Sequence, residues 1–195
     1  RAAKTTSGGT KYHVTRMFIA FDTSQIKEPP AHAALDLSIA GLTNDGTGLI
    51  VVKVQAGATG DSGTAFVSAD FDALEGFSSG ATMDGNVVAY SSSVAKATLA
   101  AGETRRVILN AAARNDMAAL SEFKLAIVAG KDYSNTTPTD DLRTRIDSVD
   151  DSTAANRPRL AWVSRRNARK RRRSKGARGK GFSRKHVSVA TGGRT

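Results

Sequence analysis

Charge is divided along this chain so sharply that it has to be read as two objects. From Ser164 to Thr195 there are thirteen Lys and Arg and no acidic residue. The preceding 163 residues hold sixteen Lys and Arg against eighteen Asp and Glu, so the tail accounts for the whole net charge of +11 and more. A peptide of this charge density repels itself and buries no core. It becomes useful only against an anionic partner: nucleic acid, an acidic protein surface or an anionic glycan. The cations available for such a partner are Arg165, Arg166, Arg169, Lys170, Arg171, Arg172, Arg173, Lys175, Arg178, Lys180, Arg184 and Lys185. Phe182 is the only aromatic among them, which makes base stacking thin. Val187 and Val189, flanked by Ser188 and Thr191, could add a short strand to the sheet edge of a neighbouring subunit.

The body suits one domain with its own core. It has no Cys, which excludes thiolate zinc sites and disulfide scaffolding. No apolar run approaches the roughly 20 residues of a membrane span, and no signal-peptide pattern opens the sequence. Residues 1–10 (RAAKTTSGGT) read as an extended polar arm. From Lys11 to Phe21 the pattern is that of one strand entering the core. Pro29-Pro30 forbids a central strand there. In Ala33–Ile39, Leu35, Leu37 and Ile39 share one face and Asp36 lies on the other, where its loss should cost little. Gly48–Val54 is a nearly continuous apolar run, as a buried strand requires. Further strands are expected at 64–68, 86–91, 96–99, 104–109, 122–128 and 159–163. One helical turn is expected at 70–74, and a short helix over 111–120, Ala-rich and preceded by Asn110 as N-cap. Many short strands with Gly, Ser, Asn and Asp turns indicate an all-β fold, an antiparallel sandwich or jelly roll. It would span residues 11–163, between the arm and the basic tail.

Three segments resemble the β-sandwich family usually called DNRLRE-like domains. The first is Arg16-Met17-Phe18-Ile19-Ala20-Phe21-Asp22-Thr23-Ser24-Gln25-Ile26, similar to that family's FRxFIxFDTS-type strand. Ala33-Ala34-Leu35-Asp36-Leu37-Ser38-Ile39 matches its A-x-L-x-L strand, and Arg157-Pro158-Arg159-Leu160-Ala161-Trp162-Val163 its closing Pro-x-Leu strand. Such domains occur in bacterial surface and secreted proteins and, standing alone, among phage virion proteins. The resemblance implies a fold and a structural role. It supplies no catalytic residue, and the Arg-rich tail is no part of the pattern.

Catalytic signals are weak. Gly76-Phe77-Ser78-Ser79-Gly80 has the form of a nucleophile elbow, but that motif needs a strand before the Ser, a helix after it and a downstream His. The only downstream His is His186, inside the tail. A Gly/Ser loop is the simpler reading. Asp61, Asp70, Asp72 and Asp84 could form a calcium loop, although no spaced motif supports one and solvated or capping carboxylates explain them better. His13, His32 and His186 lack ligand spacing. In Gly176–Gly181 (GARGKG) a glycine stands where a P-loop needs Ser or Thr. Asn135-Thr136-Thr137 is a formal sequon and marks an exposed loop. Tyr12, Tyr90, Tyr133 and Trp162 are the available sugar platforms, with Trp162 alternating with Leu160 as a core residue would. Asp140-Asp141 and Asp150-Asp151 could receive a neighbour's basic tail.

Three readings follow. The first is a non-enzymatic virion structural protein, most simply of a bacteriophage: a capsid-decoration, fibre or tail component. Its partners would be other virion proteins and copies of itself, it would need no cofactor, membrane or small-molecule substrate, and it would be assembled in the host cytoplasm. The second is a carbohydrate- or surface-binding module of a secreted bacterial protein. The third is a nucleic-acid-binding protein acting through the tail.

Overall fold

The computed structural model describes residues 2–6, 10–43, 47–55, 71–78, 81–137, 143–148 and 150–165, with backbone alone for 2–6 and 10–13. The expected strand at 64–68 and nearly all of the tail lie outside these residues. Strands dominate: β1 (Ala2–Thr6), β2 (Thr10–Val14), β3 (Met17–Asp22), β4 (His32–Thr43), β5 (Leu49–Lys53), β6 (Thr104–Ile108), β7 (Glu122–Ala129), β8 (Arg143–Ile146) and β9 (Arg159–Val163). Two helices accompany them, α1 (Ala111–Ala119) and α2 (Gly130–Tyr133). All strand pairing is antiparallel, so the fold is all-β. Among the described residues no helix is long and apolar enough to cross a membrane.

β1 and β2 form a hairpin, so the first residues are one strand of a pair. The single strand expected from Lys11 to Phe21 is divided at Thr15–Arg16. There the chain changes partners, from β1 to β7. β7 lies between β3 and β5 in one sheet. In the other sheet β6 and β9 both pair with Ala34–Asp36 of β4 and therefore flank it on opposite edges. β8 pairs with Ile39–Thr43 of β4, across a register shift between Ile39 and Gly41.

Period-2 alternation explains the main core. Leu35, Leu37 and Ile39 of β4 and Val107 of β6 share one apolar cluster with Ile19 of β3, Leu49 and Val51 of β5, and Leu125 and Ile127 of β7. The other face of β5 and β7 is buried as well: Ile50, Val52, Val54, Ala126 and Val128 meet Leu74, Met83 and Val87. This cover is irregular. It touches β5 through single bridges, Leu74 to Val54, Ala89 to Val52 and Val94 to Leu49, in place of the strand expected at 86–91. The Ser91 hydroxyl accepts from Val51 N–H at 3.0 Å, doing a neighbouring carbonyl's work and interrupting the ladder. The strand expected at 96–99 is a 3-10 turn over Lys96–Thr98, closed by Thr98 Oγ1 donating to Ala95 O at 2.8 Å. α1 forms where expected, with Asn110 Oδ1 accepting from Ala113 N–H.

Every residue of both clusters lies between Met17 and Leu160. Removal of residues 166–195 should therefore leave the thermal unfolding midpoint nearly unchanged. Leu37→Ala, which empties a site with no solvent exposure, should cost about 2–5 kcal/mol in urea unfolding. A truncated chain without near-ultraviolet circular dichroism would contradict the division into body and tail.

Candidate functional site

The tail leaves the body from the end of β9. Ala31 N–H donates to Val163 O at 2.9 Å, Ser164 is half-buried, and Arg165 is exposed. Arg165 is the first of the tail's cations and the only one placed. Arg166, Arg169, Lys170, Arg171, Arg172, Arg173, Lys175, Arg178, Lys180, Arg184 and Lys185 lie outside the described residues, as do Asp140 and Asp141. Asp150 is exposed, and Asp151 Oδ1 accepts from Thr153 N–H at 2.8 Å.

The body uses its prominent charges internally. Asp36 does lie on the face opposite Leu35 and Leu37, but it is only 8% exposed, which corrects the expectation that it could be lost cheaply. Across the ladder its neighbours are Arg106 on β6 and Arg159 on β9. Arg106 donates in bidentate fashion, Nε to Oδ1 and Nη2 to Oδ2, both at 2.7 Å. Those hydrogen bonds hold the Asp36 carboxyl below its ordinary value. The charges of Arg106 and Arg159 act in the same direction, while burial opposes them.

Arg16 sits where β2 gives way to β3, with a side chain only 4% exposed. Its Nε and Nη2 donate to Asp132 on α2 at 2.8 and 3.2 Å. Its Nη1 donates to Phe71 O at 2.7 Å and to Asp72 Oδ1 at 2.8 Å. The guanidinium also lies 4.3 Å from the Phe71 ring centroid and 4.9 Å from that of Phe77. It thus ties the first sheet to α2 and to the covering segment. Asp72 is committed to this clamp and Asp84 is exposed, while Asp61 and Asp70 are outside the described residues. Among the described residues no three His, Cys, Asp or Glu are grouped to hold a metal.

The elbow-like motif belongs to the same cover. Gly76 has φ +88°, and a Cβ there would lie 2.1 Å from Asn86 O. Phe77 packs under Arg16, while Ser78 is exposed and lacks the preceding strand that an elbow needs. Ser79 and Gly80 are not described. A third polar cluster joins α1 to the sheet. Tyr90 Oη donates to Asp116 Oδ2 at 2.5 Å, and Lys53 Nζ stands 3.2 Å from the same oxygen. Burial, reinforced by Asp116, pushes the Tyr90 phenol well above its ordinary range. Tyr90 also stacks on Phe123 at 5.2 Å and is buried, so it offers no platform to a sugar.

Trp162 reverses the expectation that it is core, being 45% exposed. Its partner Ala33 faces the core, yet β9 pairs only with β4 and Trp162 is its penultimate residue. No described element closes over that edge. The loop at Asn135–Thr137 is exposed, as the sequon suggested. Compared with protein-family models, curated proteins and solved structures, the chain matches none of them.

The Asp36 pairing has a pH signature. A carboxyl held below its ordinary value of 3.8 stabilises the fold above that pH, and the contribution is lost as the pH falls. Asp36→Ala should cost about 1–3 kcal/mol at pH 7, through the loss of two charged hydrogen bonds. In urea titrations from pH 6 to about pH 2, Asp36→Asn should lose stability less steeply than the parent chain. Parallel curves would mean that Asp36 contributes nothing through its charge.

Proposed function

We propose that this chain is a non-enzymatic structural protein of a virion, of bacteriophage type. A β-sandwich of the DNRLRE-like kind serves as the building or decoration module. The basic C-terminal tail laces it to neighbouring subunits or another anionic partner, within a homo-oligomeric shell, fibre or tail. One observation carries the reading: a cationic segment is attached to a body that commits its own prominent charges to internal pairs. Arg16, Asp36, Lys53, Asp72, Asp116 and Asp132 all serve to hold elements together. The terminal segment then concentrates the chain's positive charge. A structural lattice offers such a segment defined carboxylates and a fixed geometry.

The exposure of Trp162 favours a second reading, in which β9's edge presents an aromatic platform to a glycan and the tail is only an anchor. In a third, the tail binds nucleic acid.

The test uses the full chain in sedimentation velocity across a salt series, together with a variant carrying Arg169→Lys, Arg171→Lys, Arg172→Lys and Arg173→Lys. Lacing through carboxylates should weaken when bidentate geometry is lost at constant charge. Unchanged assembly of the variant, with DNA affinity falling by about 0.9 log units per log unit of salt for each phosphate neutralised, would replace lacing by nucleic-acid binding. Quenching of Trp162 fluorescence by a polysaccharide, with no self-assembly, would favour the second reading.

A further inference from the structure

β6 has a free edge. Leu109 N–H donates to Ala33 O, and Glu103 O accepts from Ile39 N–H, so the odd-numbered residues of this stretch face β4. Thr104, Arg106 and Ile108 therefore turn their N–H and C=O groups the other way. Among the described residues no backbone group meets those of Thr104 and Arg106 or the Ile108 N–H, while the Ile108 carbonyl lies in the bridge to residues 91–92. The edge is closed only at its end, where Ser91 bridges Leu109 and Asn110 N–H donates to Tyr90 O at 2.8 Å. Past that point residues 92–95 swing away from β6, and Val94 joins Leu49 of β5. The divergence leaves a groove of about 760 Å3 between residues 92–98 and residues 105–114.

The groove's chemistry has one sign. Arg105, Arg106 and Arg114 line it and no acidic residue does. Arg106 is already paired with Asp36, whereas Arg105 and Arg114 have no carboxylate within ion-pair distance among the described residues. Arg105 stands opposite Leu37, a register position that elsewhere in β4 and β6 carries apolar side chains. Its Nη1 reaches Thr98 O only at 3.4 Å, and its buried Nε has no hydrogen-bond partner. A buried donor left unmade is costly, so the position is suited to an acceptor arriving from outside. On the other face of β6, Ile108 is 67% exposed.

We infer that the open edge of β6 is a docking site for an extended acidic segment of another polypeptide. The segment adds as a strand beside Thr104–Ile108, and its carboxylates meet Arg105 and Arg114. Main-chain bonding to Thr104, Arg106 and the Ile108 N–H supplies the hydrogen bonds, and the arginines select the sequence. The chain's own tail is not the occupant, because its charge has the same sign as the groove's. The competing role for the arginines is to blunt an edge against aggregation, which predicts that nothing binds there.

The experiment titrates 15N-labelled full-length protein with acetyl-Thr-Val-Glu-Val-Glu-Val-Thr-amide and with its counterpart in which both Glu are Lys. The acidic peptide should shift the amide resonances of 104–108 and 92–95 and bind at least about tenfold more tightly than the lysine peptide. Ile108→Pro removes one free-edge N–H without touching the β4 ladder and should abolish those shifts. Arg105→Gln, with unchanged far-ultraviolet circular dichroism, should weaken binding about tenfold and keeps the test decisive if the proline variant folds poorly. Absence of shifts at millimolar peptide, equal binding of the two peptides, or shifts confined to the amides of residues 166–195 would each overturn the inference.

Discussion

The structure depends on β7 being covered on both faces. Phe123, Leu125 and Ile127 enter one apolar cluster, while Ala126 and Val128 enter the other. A strand apolar on both sides needs two covers. The sheet around β4 is one, and it meets β7 through plain alternation. The irregular stretch from Phe71 to Val94 is the other, and it has no continuous ladder to hold it. Its attachment comes instead from Arg16, from scattered backbone bonds such as Lys53 N–H to Val88 O and Tyr90 N–H to Val51 O, and from the Ser91 hydroxyl on Val51 N–H. A buried guanidinium is costly unless its donors are met. Here Asp132, Asp72 and the Phe71 carbonyl meet them, so the ion cluster fixes where the cover lies as well as stabilising it.

Elements whose signal is local were legible in the sequence. β9 occupies the expected residues, and β4, β6 and β7 were recognised because Leu, Val and Ile recur at period 2 or run together. α1 was recognised from its Ala content and its Asn110 cap. What escaped depends on partners distant in sequence. Arg16 and Asp132 are 116 residues apart, and nothing near Arg16 announces that its side chain turns inward. β8, Arg-Thr-Arg-Ile, has a single apolar residue and pairs with β4 across a register shift, so no alternation reveals it. The turn at 96–98 replaces a strand because the hydroxyl of Thr98 bonds back to Ala95, a local contact that competes with any ladder. Asp36 was assigned to the correct face, but its burial comes from Arg106 across the sheet, and cross-strand register is not visible in one sequence.

Of the candidate site, composition revealed the tail and little else. Its thirteen cations can be counted, whereas the groove beside β6 required a structure. Thr-Arg-Arg-Val-Ile reads as an ordinary strand. Its significance appears only when residues 92–95 are seen to leave it and Arg105 Nε is found without a partner. The body's catalytic-looking motifs are accounted for at the same level. Gly76 and Phe77 serve the packing of the cover, and Asp72 serves Arg16.

The groove and the tail carry the same sign of charge, and this constrains any assembly built from the chain. A tail from one copy entering the β6 groove of another would set Arg and Lys against Arg105 and Arg114, and like-charge contacts of this kind cost several kcal/mol. A lattice of identical copies laced from tail to groove is therefore disfavoured. On the readings proposed above the two elements would address different counterparts, the tail exposed carboxylates such as Asp150 and the groove an acidic strand. Each copy would then present two cationic contacts of different kind, a run of arginines and a sheet edge. Shape separates their partners where charge cannot, because backbone pairing admits only an extended chain while a run of arginines accepts any anion of sufficient density.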